Sequence, residues 1–204
     1  MTGPTIVLWR HGQTEYNATL RLQGQSDIEL NETGAAQARA AAVRLAELGP
    51  TRIVSSDLSR ALRTAQALAD LSGVPVEPEP RLRERSFGVW EGLTHEEIES
   101  GWPEAFQAWR QGHEPAGIGA DTRRDVGERV TAALLEAAAD MDADGVLVAV
   151  AHGAAITLGL SELLGLDPGE WFGLGGLDNC AWAIVRPDPG RRPGWRLTAH
   201  NLTA

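Results

Sequence analysis

The chain has 204 residues, of which 43% are hydrophobic and 23% charged, and its formal net charge at pH 7 is −10. This is the composition of an ordinary globular domain, and the negative charge disfavours binding to nucleic acid or to an anionic membrane, both of which require a basic face. All 18 basic side chains are arginines, which excludes chemistry that needs a lysine, such as a Walker-type phosphate loop or a Schiff base.

The single cysteine and the apolar runs bear on the cellular compartment. One cysteine, Cys180, allows no internal disulfide and no cysteine-rich zinc site. The sequence shows neither a signal-peptide pattern nor a run of 18 apolar residues. We therefore predict a cytoplasmic protein.

Predicted strands and helices alternate along most of the sequence. Apolar runs predict strands at residues 5–9, 52–54, 74–77 and 146–151. Helices are predicted at residues 33–48, 59–71, 126–141 and 154–164. The last two runs, 180–185 and 195–198, are predicted to pair antiparallel. This order is typical of an α/β three-layer sandwich with a mostly parallel central sheet and one antiparallel edge strand.

The segment between residues 81 and 124 has a different character. It contains Trp90, Trp102 and Trp109 among glycines and short helical patterns. We interpret it as a small helical cap and predict a single domain, residues 1–204, with the cap inserted at about 85–124. Trp102 and Trp109 are candidates for contact with a substrate, although aromatic side chains of a cap more often pack within it.

Two histidines directly follow predicted strands. His11 lies between Arg10 and Gly12, and His152 precedes Gly153. Because ligands bind at the carboxyl ends of the strands in open parallel sheets, both histidines are predicted to belong to one site. A neighbouring arginine disfavours a charged imidazolium and favours a neutral, nucleophilic ring that faces an anion. The start of the helix after His152 could also donate backbone N–H groups to that anion.

Three further charged residues are candidates for the same site. Arg60 opens the second predicted helix and would bring a second guanidinium to this end of the sheet, whereas Arg63 lies nearly a full turn further on. Glu84, which has three arginines close by in sequence, is the candidate acid, and Glu91 is the alternative. The sequence has no closely spaced set of metal ligands, so we predict no metal and no cofactor.

Several stretches, in order along nearly the whole chain, form a recognisable pattern: Leu8–Asn17, Leu22–Asp27, Leu30–Gly34, Ser55–Ala61, Glu84–Thr94 and Ala151–Gly153. Together they resemble the signature of the histidine phosphatase superfamily, in its phosphoglycerate mutase-like branch. The resemblance implies that His11 is the nucleophile that becomes phosphohistidine. It also implies a reaction without a metal.

The resemblance implies roles for the other candidates. Glu84 would protonate the leaving oxygen and then deprotonate the attacking water. Arginines suit the transfer, because planar guanidiniums match the charged equatorial oxygens of the phosphoryl group. The predicted catalytic residues are Arg10, His11, Arg60, Glu84 and His152. The predicted substrate-binding residues are Arg10, His11, Asn17, Gln23, Gly24, Arg60, Glu84, His152 and Gly153.

Hydrolysis is favoured over transfer to a second substrate. Mutases of this family are typically longer and tend to follow the acid with His-Tyr-Gly, whereas Glu84 is followed by Arg85–Gly88. Two alternatives stay open, a phosphoglycerate mutase-type phosphotransferase and a non-catalytic phosphoester-binding module on the same fold.

The substrate is predicted from a narrower resemblance. The stretches Leu22–Gln25, Gly92–His95 and Leu174–Asn179 resemble the glucosyl-3-phosphoglycerate phosphatases of actinobacteria. This implies a small phosphorylated metabolite, such as glucosyl-3-phosphoglycerate or another sugar or glycerate phosphate. A homodimer is left open. The cap departs from the family, because Gly-Glu-Ser is usual there and Asp121 follows Gly119-Ala120 here. Either Asp121 replaces the usual acid or the loop is realigned.

Overall fold

The computed structural model describes residues 3–204 of the chain. Its strands are β1 (Thr5–Arg10), β2 (Arg52–Ser55), β3 (Val76–Pro78), β4 (Val146–Ala151), β5 (Trp182–Pro187) and β6 (Trp195–Leu202). Its α-helices are α1 (Glu15–Ala18), α2 (Glu32–Ala46), α3 (Ser59–Ser72), α4 (His95–Gly101), α5 (Pro103–Arg110), α6 (Arg123–Ala139) and α7 (Gly153–Leu163). Short 3₁₀ turns occupy Pro80–Leu82 and Gly88–Trp90.

All of these strands form one sheet in the order β3-β2-β4-β1-β5-β6. The pairs β2–β3, β2–β4 and β1–β4 are parallel, whereas β5 runs antiparallel to both β1 and β6. Antiparallel pairing is therefore confined to one edge of the sheet. The predicted α/β class, with a mostly parallel sheet, is confirmed.

Alternation along the central strands produces a core on each face of the sheet. Ile6 and Leu8 pack on the side of α6 and α7, whereas Val7 and Trp9 pack on the side of α2 and α3. This follows from the two-residue period of a strand, which directs successive side chains to opposite faces. The sheet is packed between two helical layers, which position the groups at the strand ends.

The region of the predicted cap contains α4 and α5 and has an apolar cluster of its own. Phe87, Trp90, Ile98, Phe106 and Ile118 are buried together, and the partly exposed rings of Trp102 and Trp109 pack against them. The division of the chain into one domain with an insert stays a prediction. None of the helices between residues 3 and 204 is both long and apolar enough to cross a membrane.

Some predicted element boundaries differ from the structure. The strand predicted at 74–77 begins only at Val76, since Pro75 has no N–H to give to the ladder. The helix predicted from residue 126 begins at Arg123, because the Thr122 side chain accepts a bond from the N–H of Asp125. The four-residue helix α1 was not predicted, since so short a helix has no measurable periodicity.

Candidate active site

The strand register places the two histidines side by side. β1 and β4 are parallel neighbours with Arg10 opposite Ala151, so the residues that follow them, His11 and His152, leave the sheet at the same edge. Their ring centroids are 5.1 Å apart, and the two residues are 2% and 0% exposed. Two histidines that are far apart in the sequence thus lie together in one buried site.

His11 is set up as a neutral ring with one free nitrogen lone pair. Its Nδ1 lies 2.7 Å from the carbonyl oxygen of Gly12, which can only accept a hydrogen bond, so Nδ1 carries the proton. Burial, followed by the charges of Arg60 and Arg10, lowers the pKa of His11 well below its usual value. The other nitrogen, Nε2, is therefore unprotonated at neutral pH and available as a nucleophile.

Arg60 is fully buried and held by three contacts. Its Nη1 and Nη2 each donate a 2.8 Å hydrogen bond, to the carbonyl oxygens of Ser26 and Gly24, and its Nε donates to His152 Nδ1 at 3.1 Å. Burial lowers the pKa of Arg60 to about 10, so the side chain keeps its charge at neutral pH. The Gly24 loop therefore holds the second guanidinium beside the histidine pair.

His152 is neutral and oriented from both sides. Its Nδ1 accepts from Arg60, so Nε2 carries the proton and donates to Ser56 Oγ at 2.8 Å. Burial, followed by the charge of Arg60, lowers the pKa of His152 well below its usual value. A neutral ring locked in this way orients the Arg60 guanidinium through Nδ1, and in this tautomer neither ring nitrogen has an N–H free to donate to an anion.

Arg10 supplies a guanidinium that is only partly used by the protein. It donates to the carbonyl oxygen of Leu177, while its buried Nε has no hydrogen-bond partner among residues 3–204. Burial lowers the pKa of Arg10, and the charges of Glu84 and Asp178 oppose that shift. Buried donors without a partner are rare, and a bound phosphate oxygen would satisfy this one.

Glu84 lies at the beginning of α7. Its Oε1 accepts from the N–H groups of Arg85 and Ala155 at 2.8 Å, and its Oε2 accepts from Ala154 N–H at 3.1 Å. The first N–H groups of α7 therefore bind this carboxylate, and the sequence-based idea that they would be free to bind an anion is wrong for Ala154 and Ala155. Gly153 starts the helix close by, since a Cβ built on it would lie 3.8 Å from Glu84 Oε2.

The three arginines next to Glu84 in sequence do not pair with it. Arg83 binds Asp57, and Arg85 binds Glu114. Arg81 binds Glu79 and Glu136 on the surface. Backbone N–H groups rather than these guanidiniums thus bind the carboxylate of Glu84. The charge of Glu84 also favours the charged form of Arg10.

A cavity of about 230 Å³ joins most of the predicted site residues. It is lined by Arg10, His11, Asn17, Gln23, Gly24, Arg60, Glu84 and Ala154, together with Arg21, Leu22 and Phe87. His152 and Gly153 lie outside its lining, directly behind His11 and Ala154. Four of the lining residues, Ala154, Arg21, Leu22 and Phe87, were not predicted. An arginine two positions before Gln23 was a signal that could have been used.

Asn17 and Gln23 present amide donors to this cavity. The Oδ1 of Asn17 accepts from Thr14 N–H at 3.1 Å and from Asn179 Nδ2 at 3.2 Å. The Oε1 of Gln23 accepts from Thr14 Oγ1 at 2.9 Å. With each oxygen engaged, the amide N–H₂ groups are what these side chains can offer to an anion. Asn179 and Thr14, which orient them, were not predicted.

Glu91, the alternative acid, lies behind the wall of the cavity and ties two loops together. Its Oε2 accepts from Ser26 N–H and Oγ, both at 2.9 Å, and its Oε1 accepts from the N–H groups of Gln25 and Phe87 at 3.1 and 3.0 Å. A Cβ on Gly24 would lie 2.1 Å from Oε1. Glu91 therefore joins the loop that holds Arg60 to the loop that carries Glu84.

Replacing Glu91 with glutamine is expected to lower kcat/KM for p-nitrophenyl phosphate about 10- to 100-fold. An amide would put an N–H₂ group against backbone donors that now have a carboxylate oxygen, which costs about 1–3 kcal/mol for an unpaired buried group. The exposed Glu99 on α4 is the matched control, and Glu99→Gln should leave activity unchanged. Unaltered activity in Glu91→Gln would show that the link between the loops does not matter.

Asp121 and Arg63 do not reach the cavity. Asp121 Oδ2 accepts from Ser86 N–H at 3.0 Å and lies 3.6 Å from Arg129 Nη2. Arg129 in turn donates to the carbonyl oxygen of Glu84 at 2.9 Å, so Asp121 braces the back of the loop that carries Glu84. Arg63 is exposed on α3, in agreement with the sequence analysis, which favours Arg60 over Arg63 as the second guanidinium of the site.

Fold and site together define an enzyme class, and comparison with known proteins identifies it. The model of the histidine phosphatase superfamily (branch 1) matches residues 6–203, and the chain belongs to this family. The prediction that it is a histidine phosphatase is confirmed.

Three individual proteins illustrate the similarity. The chain is 43% identical to a glucosyl-3-phosphoglycerate phosphatase of Mycolicibacterium vanbaalenii, over 98% of this chain and 95% of that one. It is similar to the solved structure of a mycobacterial glucosyl-3-phosphoglycerate phosphatase, a complex with VO3, with a TM-score of 0.87 and 39% identity over 98% and 100% of the two chains. A probable phosphoglycerate mutase of Yersinia enterocolitica is 37% identical over 98% of this chain and 93% of its own length.

Proposed function

We propose that this chain hydrolyses phosphomonoesters through a phosphohistidine formed at Nε2 of His11, and that its natural substrate is a phosphorylated glycerate or sugar such as glucosyl-3-phosphoglycerate. The observation that carries the proposal is a neutral, buried His11 that shares one cavity with Arg10, Arg60 and Glu84. The similarity to phosphatases named for glucosyl-3-phosphoglycerate supports the substrate class.

In the first step, Nε2 of His11 attacks phosphorus and the bond from phosphorus to the leaving oxygen breaks. Arg10 and Arg60 neutralise the charge that spreads over the equatorial oxygens. The proton on Nδ1 stays with the ring, and the carbonyl oxygen of Gly12 stabilises the positive charge that the ring gains. Protonated Glu84 gives its proton to the leaving oxygen, so the alcohol departs neutral.

In the second step, water replaces the histidine. Glu84, now a carboxylate, accepts a proton from the water while the water oxygen attacks phosphorus. The bond from phosphorus to Nε2 breaks. Phosphate leaves, and both His11 and Glu84 return to their starting protonation states. One carboxyl group thus acts first as acid and then as base, as the principle of microscopic reversibility requires.

Release of phosphate from p-nitrophenyl phosphate, measured with and without EDTA, tests this reaction. We expect turnover at mildly acidic to neutral pH that EDTA leaves unchanged. No turnover at all would favour a binding module on the same fold, and loss of turnover with EDTA would contradict a reaction without metal.

The same protein incubated with 3-phosphoglycerate distinguishes hydrolysis from the mutase alternative, which the similarity to a probable phosphoglycerate mutase favours. Phosphorus NMR should show inorganic phosphate as the product. Accumulation of an isomeric phosphoglycerate would instead identify a phosphotransferase.

A small phosphorylated metabolite as partner and a cytoplasmic location are part of the proposal.

A further inference from the structure

A second cavity, which we name the aromatic cavity, adjoins the catalytic one. It measures about 280 Å³ and is lined by Phe87, Trp109, Trp171, Phe172 and Arg123, along the flank of α7 between residues 153 and 161. Phe87 and Ala154 line both cavities. The two cavities therefore adjoin at these two residues, and the N–H of Ala154 binds Glu84, the carboxylate that would protonate the leaving oxygen.

Arg123 brings a guanidinium to this cavity that no acidic side chain neutralises. Its Cζ lies 4.4 Å from the ring centroid of Phe172, and its Nη1 donates to the carbonyl oxygen of Gly112 at 2.9 Å. Within residues 3–204, no carboxylate oxygen lies within 4.0 Å of this guanidinium. Gly112 permits the stacking, since a Cβ there would lie 3.0 Å from the Phe172 ring.

The acid nearest to Arg123 is already engaged elsewhere. Glu114 binds the Arg85 side chain through Oε2 and the backbone N–H of Arg123 through Oε1. Arg85 is itself 2% exposed and donates its Nε to the carbonyl oxygen of Asp121 at 2.8 Å. Glu114 thus pairs with the Arg85 guanidinium and leaves that of Arg123 without a carboxylate within 4.0 Å among residues 3–204, in a chain of net charge −10.

We propose that the aromatic cavity receives the alcohol part of the phosphomonoester and that Arg123 binds a carboxylate carried by that alcohol. This deepens the proposed function and rests on it. The phosphoryl group at His11 and the leaving oxygen at Glu84 direct the rest of the substrate past Phe87 and Ala154. A guanidinium binds a carboxylate with paired hydrogen bonds, and aromatic walls suit the apolar faces of a sugar or carbon chain.

The substrate class selected in this way is a phosphorylated hydroxy acid, with room for a glycosyl substituent. Trp109, one of two tryptophans that the sequence made candidates for substrate contact, lines the cavity, whereas Trp102 does not. Trp171 and Phe172, which are 37% and 56% exposed, continue the aromatic surface toward solvent. Exposed rings beside a pocket are typical of binding surfaces.

The test compares two substrates that differ in one group, 3-phosphoglycerate and glycerol 3-phosphate, in which a CH₂OH replaces the carboxylate. We expect the wild-type protein to prefer 3-phosphoglycerate. In Arg123→Gln, KM for 3-phosphoglycerate should rise about 10- to 100-fold, the usual effect of losing a charged hydrogen-bonded pair, while kcat/KM for glycerol 3-phosphate stays within about twofold. Arg123→Lys, which keeps the charge, should retain part of the preference.

Arg124 provides the matched control. It follows Arg123 directly on α6, but its side chain is 59% exposed and pairs with Asp167, so Arg124→Gln should leave both substrates unaffected. Equal losses on both substrates in Arg123→Gln would mean that Arg123 only supports the cap, and would overturn the inference. The inference would also be overturned if the wild-type protein hydrolysed p-nitrophenyl phosphate but did not prefer 3-phosphoglycerate to glycerol 3-phosphate. Absence of any hydrolysis would instead contradict the proposed function itself.

Discussion

Replacing His11 with alanine is expected to abolish phosphate release, with kcat lowered by about 10⁴-fold or more, because the reaction then has no nucleophile. The rest of the cavity should persist, since the guanidiniums of Arg10 and Arg60 are held by backbone carbonyl oxygens. Binding of inorganic phosphate, measured by calorimetry, should therefore survive in His11→Ala while turnover is lost.

A covalent intermediate gives an independent readout of the same prediction. Wild-type protein quenched in alkali during turnover should carry one acid-labile phosphoryl group, detectable by intact-mass spectrometry, and His11→Ala should carry none. His113 is exposed in the segment after α5, so His113→Ala is the matched control and should behave as wild type. Turnover by His11→Ala, or labelling of it to the wild-type extent, would place the nucleophile elsewhere.

The central fold and the pairing of the histidines could be predicted because both depend on local patterns. Apolar runs show where β1 and β4 end, and parallel neighbours end at the same edge of the sheet. His11 and His152 directly follow those strand ends. They are 141 positions apart in the chain, but the pairing of β1 with β4 sets the distance between the two rings.

The environment of the two carboxylates could not be predicted. Glu84 and Glu91 lie seven residues apart in the same irregular stretch, and no periodicity tells which of them faces the cavity. Only the three-dimensional contacts distinguish them. Glu84 accepts hydrogen bonds from the first N–H groups of α7, whereas Glu91 binds the loop at Gln25 and Ser26. Sequence proximity does not identify the partners of Glu84 either, because the arginines beside it pair with other acids.

The aromatic cavity could not be predicted from the sequence either. Its walls come from the cap, from α7 and from the segment around Trp171, which lacks regular secondary structure and therefore any hydrophobic period. The sequence pattern places Arg123 within the predicted cap, whereas in the structure it is the first residue of α6. The roles of the individual site residues stay predictions that the variants described above can test.

Replacing Glu84 with glutamine is expected to lower kcat/KM for an alkyl phosphate such as glycerol 3-phosphate by about 10²- to 10⁴-fold, the range of general acid catalysis. The loss should be far smaller for p-nitrophenyl phosphate, because p-nitrophenolate leaves without a proton. Glutamine also sets an N–H₂ group against one of the N–H donors of Arg85, Ala154 and Ala155, so a modest fall in thermal stability should accompany the kinetic effect.

The pH profile gives a separate test of the nucleophile. The lowered pKa values of His11 and His152 keep both rings neutral as the pH falls from 7 through 6.5, so the nucleophile is retained on the acid side. We therefore expect no decline of wild-type kcat/KM through this range, in which an imidazole of ordinary pKa would become protonated.

Glu91→Gln separates an acid from a residue that only positions the site. Because Glu91 holds two loops and touches no reacting atom, its replacement should lower the rates for alkyl and p-nitrophenyl phosphates by the same factor. Glu84→Gln should instead be selective for the poor leaving group. If the two variants exchanged these patterns, Glu91 would be the proton donor and the contacts that place Glu84 on α7 would describe a structural carboxylate.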